Sequence, residues 1–163
     1  MLKRWKCRVL ALLFAAVMLL CSACSFNSGR TVTQYVNTVR EDTRQIVNLS
    51  REIRKQREDL DPAKKADTDR LTASLDELAD LYTELLTIEV PDRYDDLHAE
   101  LKPCAEKAVV GISQMQDLLD HAAMTGSSDL FRQRYDELME QYNDSCDELV
   151  AVSARITTRY RDD

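Results

Sequence analysis

Val32, Val39, Ile46, Ile53 and Leu60 recur every seven residues, with Tyr35, Val36 and Leu49 filling positions between them. That spacing lays one apolar stripe along a helix and predicts helix 1 over about 31–60. Asp61-Pro62 follows as an N-cap residue and a proline at the first helical position, where the missing N–H costs nothing. Helix 2 is therefore expected over about 62–89, on the stripe Leu71, Leu75, Leu78, Tyr82 and Leu85. Val90-Pro91 interrupts it, because a residue before proline avoids helical geometry.

Helix 3, about 91–125, carries Tyr94, Leu97, Leu101, Cys104, Ala108, Ile112, Met115, Leu119 and Ala122 on one face. Pro103 removes a backbone donor and crowds Ala99, so a kink is expected there. Gly126 ends helix 3, and Ser127 or Ser128 caps helix 4, which runs to about 160 on Phe131, Tyr135, Leu138, Tyr142, Leu149, Val152, Ile156 and Tyr160. Four long helices with short connections must fold back on one another to bury their stripes. The expectation for 31–163 is an all-α, up-down-up-down four-helix bundle with coiled-coil-like seams.

Composition agrees. The chain has 163 residues, with 3 glycines and 3 prolines, too few for a turn-rich β fold. Charge divides the chain: Lys3, Arg4, Lys6 and Arg8 are the only charges in residues 1–23, and the rest holds 18 basic against 29 acidic residues, a net −11. Such a surface repels phosphate backbones and anionic head groups, so no nucleic-acid partner is expected. Helix 1 alone is slightly basic. Its Arg40, Arg44, Arg51 and Lys55 form a ridge expected to face acidic neighbours such as Asp69, Asp76 and Asp80 through weak, solvated pairs.

The first residues carry an address rather than a fold. A basic start, an apolar run of 12 residues from Val9 to Leu20, and a small-residue close read as a secretory signal over 1–23. Val9 to Ala23 spans about 22 Å as a helix, short of a roughly 30 Å hydrocarbon core, so a permanent membrane span fits poorly. Leu20-Cys21-Ser22-Ala23-Cys24-Ser25 resembles a bacterial lipoprotein processing site, although Cys21 stands where that pattern more usually has leucine. The resemblance implies cleavage before Cys24, acylation of Cys24 with palmitate-type chains, and residence on the extracytoplasmic face of the cell membrane. Two acyl chains give durable attachment where one does not. Residues 24–30 would then be a lipidated tether, reaching only about 20 Å over Ser25 to Arg30. The stretch Ile88-Glu89-Val90-Pro91 through Tyr94, Leu97, His98 and Leu101 also resembles a helix start in small helical lipoproteins of unknown function, and implies no activity.

Candidate chemistry is sparse. His98 and His121 lie 23 residues apart, about 34 Å along one helix, and cannot share a metal. The Glu-x-x-His pattern of di-metal bundles is absent, since Asp95 and Leu118 stand three residues before the histidines. His98 beside an acid reads as a solvated surface pair. There is no Gly-x-Ser-x-Gly, phosphate loop or Cys-x-x-Cys. Gly111-Ile112-Ser113 is mid-helix, where glycine permits close helix packing. Tyr35, Tyr82, Tyr94, Tyr135, Tyr142 and Tyr160 either line a ligand cavity or, the better reading at helical spacing, belong to the core. No catalysis, cofactor or metal is expected.

Removing Cys7 and Cys21 with the signal and acylating Cys24 leaves Cys104 and Cys146, in a compartment where disulfides persist. Their midpoint is residue 125, and residues equidistant from a helical hairpin turn lie opposite each other, so a Cys104–Cys146 disulfide is expected, closing a loop of about 43 residues worth roughly 4 kcal/mol. The alternative is two buried free thiols. The functional expectation is an exported, lipid-anchored bundle acting through an envelope protein partner or as a structural element. The alternative is an extracytoplasmic sensory bundle for a small molecule, whose ligand-binding residues the sequence does not identify.

Overall fold

A computed structural model describes residues 31–61, 63–125 and 129–162. Four helices carry them: α1 over 31–58, α2 Lys65–Thr87, α3 Asp95–Thr125 and α4 Asp129–Asp162, with a single 3-10 turn, Asp92–Tyr94, leading into α3. The signal, the tether and Cys24 lie outside the described residues.

The predicted stripes form the core except at Tyr160, which the last turn of α4 leaves exposed. Val39, Ile46 and Ile53 on α1, Leu71, Leu75 and Leu85 on α2, Leu101, Ala108 and Ile112 on α3, and Tyr135, Leu149 and Ile156 on α4 are all fully buried. Leu60 is buried too, although α1 ends two residues before it.

Contacts between polar side chains fix how the helices run. Rising along α1, Thr33, Thr43, Ser50 and Arg57 meet Tyr160, Ser153, Tyr142 and Asp136, in falling order along α4. Asp96, Glu100 and Cys104 likewise meet Arg159, Arg155 and Glu148. Gln56 joins α1 to Ser74 of α2 at 3.0 Å, and Gln116 joins α3 to Asp76 at 2.7 Å. Each helix is antiparallel to the next and α4 returns beside α1, which makes an up-down-up-down bundle.

The structure corrects three local expectations. Asp61 does not cap α2 at residue 62: its Oδ1 accepts from the Ala63 amide at 3.1 Å and its carbonyl from the Lys64 amide at 2.9 Å. The aspartate thus closes a turn of its own, Lys64 stays extended, and α2 begins at Lys65. At the other end Ile88 is already extended, so α2 stops at Thr87, and the chain stays extended through Pro91.

The basic ridge is the second correction. Arg40, Arg44 and Arg51 lie along the seam with α4, not against α2. Asp69 instead pairs with Lys65, and Asp76 with Gln116. A helical period tells which residues share a face; which neighbour that face meets depends on the sense in which the bundle turns.

The disulfide is the third. Cys104 and Cys146 are both buried and both free. The α3–α4 contacts are symmetric about approximately residue 127 rather than 125, so Cys104 stands opposite Glu148, its Sγ 3.7 Å from Oε2. Cys146 sits two residues earlier on α4, turned by about 200° around the helix, and points at the tyrosines of the core instead.

Candidate functional site

Tyr82, Tyr135 and Tyr142 are fully buried, and their packing decides between cavity and core. Tyr82 Oη donates to Tyr142 Oη at 3.1 Å, Tyr142 lies 2.6 Å from Ser50 Oγ, and Ser50 donates to the Ile46 carbonyl at 2.6 Å. The hydroxyls form a chain that ends on backbone rather than converging on open space. The Tyr82 and Tyr142 rings meet edge-on at 6.1 Å. Burial pushes both phenols well above their ordinary range, so neither offers a phenolate. Tyr135 differs: its hydroxyl is buried without a hydrogen-bond partner, and so is Nε of Arg57, whose other nitrogen pairs with Asp136.

His98 is interior, not a surface residue beside an acid. It is 9% exposed, and its Nδ1 is 3.2 Å from Tyr35 Oη. Tyr94 packs at 5.3 Å from the Tyr35 ring, and the guanidiniums of Arg93 and Arg159 lie 5.1 and 5.9 Å from the Tyr94 ring centre. Burial, then Lys102, lowers the His98 pKa, which keeps the ring neutral. Sequence order carried a signal for this: His98 is four residues after Tyr94 and three before Leu101, on the inner edge of the stripe. His121 is exposed and elsewhere on α3.

Asp42, 5% exposed, is the buried carboxylate among the described residues. One of its carboxylate oxygens has no hydrogen-bond partner, and burial, with Glu84 of α2 and Glu41 nearby, pushes its pKa up to about 6. In the first turn of α3, Asp96 is held down to about 2 by the Arg159 guanidinium, whose two nitrogens sit 2.6 and 2.8 Å from its oxygens.

Open grooves lie on the surface of the described residues. One, of about 700 Å³, lies between α3 and α4 beside Pro103 and the 57% exposed Val110. Gly111 lines it, and a Cβ there would meet Tyr142 Cβ at 3.8 Å, an ordinary contact. Close packing therefore does not demand glycine at this position. Another groove, of about 550 Å³, lies between α1 and α4 and is lined by Arg40, Arg44, Arg51 and Arg161. Among the described residues no group of three or more His, Cys, Asp or Glu is placed to hold a metal, and no helix is long and apolar enough to cross a membrane.

No family model matches the chain, and neither a curated protein nor a solved structure is significantly similar to it.

Proposed function

We propose that the protein is an exported, lipid-anchored helical bundle that works by binding a partner at the extracytoplasmic face of the membrane, with Cys24 as the acylated residue. The observation that carries the binding role is where the interior polar groups are used. The tyrosine chain ends on the Ile46 carbonyl, and His98 is held by Tyr35. These groups hold helices together across the bundle, and the α3–α4 and α1–α4 grooves are left open for recognition. The anchor rests on the basic start, the short apolar run and Ser22-Ala23-Cys24.

The test is fractionation with crosslinking. Wild-type protein should sediment with membranes and carry acyl mass on an N-terminal Cys24, and crosslinking in intact cells should capture an envelope protein. Cys24→Ser should release the protein or leave its signal uncleaved. A mature N-terminus at another residue, without acyl groups, defeats the anchor. Absence of any crosslinked partner at native abundance defeats the partner role.

A further inference from the structure

The chain is acidic, with 29 carboxylate side chains against 22 lysines and arginines. Arg57, Arg70, Arg134, Arg155 and Arg159 each pair with a carboxylate. The seam between α1 and α4 departs from this. Arg40, Arg44 and Arg51 of α1 and Arg161 of α4 are exposed along it, and no carboxylate lines it among the described residues. Arg44 is steadied by Glu41, and Arg40 by the Asn37 side chain 3.1 Å away. Arg51 and Arg161 make no ion pair among the described residues.

The register of the two helices spreads these charges out. Thr33 meets Tyr160 at 3.1 Å, so Arg161 stands level with the first turn of α1. Arg40, Arg44 and Arg51 follow at i, i+4 and i+11, a spacing that keeps all three within about 40° of one line along α1. From Arg161 to Arg51 the row is about 28 Å long at 1.5 Å per residue, too long for a compact anion to bridge. Val47 and Val150, both half-buried, give the row an apolar floor near its Arg44 and Arg51 end. Packed helices keep their backbone groups bonded internally, so this seam has no ladder for an extended strand to join. Thr157 and Thr158 likewise give their hydroxyl hydrogens to the Ser153 and Ala154 carbonyls. An occupant must satisfy its own backbone, which a helix does, and a third helix laid along the groove between two others is ordinary helix packing.

We propose that the α1–α4 seam is the docking face for an acidic amphipathic helix of the partner protein, about 20 residues long, with apolar side chains over Val47 and Val150 and carboxylates toward the arginine row. A nucleic acid carries charge on every side and would be repelled by the acidic surface that flanks the seam, whereas a helix with one acidic edge turns its carboxylates only toward the arginines. Exposed ion pairs contribute little each, so the apolar floor supplies affinity while the arginines set orientation and speed encounter. The assignment deepens the partner-binding reading, on which it rests, and does not depend on the anchor.

The probe is a dye-labelled helical peptide of about 20 residues, built from Glu, Ala and Leu with leucines along one face and glutamates on either side of them. It is titrated by fluorescence anisotropy against full-length protein in a nonionic detergent at about 150 mM salt. Saturable binding is expected. Arg40→Gln/Arg51→Gln should weaken it at least about tenfold, and so should Ala154→Glu, which sets a like charge at the exposed wall of the seam, both with unchanged circular dichroism. Arg70→Gln on α2 should leave binding unchanged, Cys24→Ser protein should bind equally, and a peptide with glutamine for every glutamate should bind at least about tenfold more weakly. Absence of saturable binding, binding indifferent to both variants, a glutamine peptide that binds as well, or a DNA duplex of equal length that binds more tightly overturns the proposal. A photocrosslinker at Asn48 in the seam should also capture a partner from solubilised envelopes, in competition with the peptide. Capture from Val110 in the α3–α4 groove alone, or capture at Asn48 that excess peptide does not compete, overturns this docking face and leaves the partner role standing. Capture at neither position defeats both.

Discussion

Tyr142 Oη lies 2.6 Å from Ser50 Oγ, joining α4 to α1 between residues 92 apart in sequence. With Tyr82 donating from the diagonal helix, this one phenol ties three of the four helices together in the buried centre of the bundle. Tyr142→Phe leaves the Tyr82 donor and the Ser50 oxygen without their partner and should cost about 1–3 kcal/mol in denaturant unfolding. Tyr135→Phe is the contrast. Its hydroxyl is already buried without a partner, so its removal should be neutral or stabilising by up to about 1 kcal/mol. Equal losses in the two variants would mean that Tyr135 has a partner in solution.

Asp42 titrates in a pH window of its own. Its folded pKa, about 6, is above its ordinary value, so the folded state holds the proton more tightly. Its contribution to stability is full below the ordinary carboxylate range and is lost as pH rises through 6. Asp42→Asn should therefore stabilise the protein at pH 7.5 by roughly 1 kcal/mol, less than the full shift implies because solvent screens the charge, and should have no effect near pH 4. Thermal melts of both proteins across this range check it.

His98 acts in the opposite sense. Its folded pKa is lowered, so the unfolded chain binds the proton first, and stability is lost as pH falls below the ordinary histidine value of about 6.5. In the Asp42→Asn background the melting temperature should fall over that interval without the compensating rise from Asp42. A flat profile there would place His98 in solvent.

Gly111→Ala should raise stability by about 0.5–1 kcal/mol, since the added Cβ meets Tyr142 at ordinary contact distance and the helix loses a flexible residue. Denaturant melts decide the sign.

A fragment of residues 31–163 denatured without reductant should yield two titratable thiols, Cys104 and Cys146, that react slowly in the native state because burial raises both pKa values. A thiol count of zero would require α3 and α4 to sit in a different register.

The contrast between the stripes and the cysteines shows what periodicity carries. Val39, Ile46 and Ile53 are buried because a seven-residue repeat points one way around a helix, and this is a property of the segment itself. The level at which Cys104 meets α4 depends on the register between the two helices, and a shift of two residues swings a side chain nearly to the opposite face. The arginine groove was half legible for a similar reason. Arg40, Arg44 and Arg51 were visible as a ridge, but Arg161 joins them only because α4 packs beside α1, and nothing local to either helix states that pairing. Asp42 gave no signal at all, since a polar residue next to the stripe is buried or exposed according to how close α2 comes.

Thr33 and Tyr160, 3.1 Å apart between hydroxyls, put the first turn of α1 beside the last turn of α4. The helices could therefore be strung in another order without moving any of them. A circular permutant that opens at Asp92, runs through α3 and α4, and rejoins α1 through a linker of about 4–6 residues would bury the same stripes.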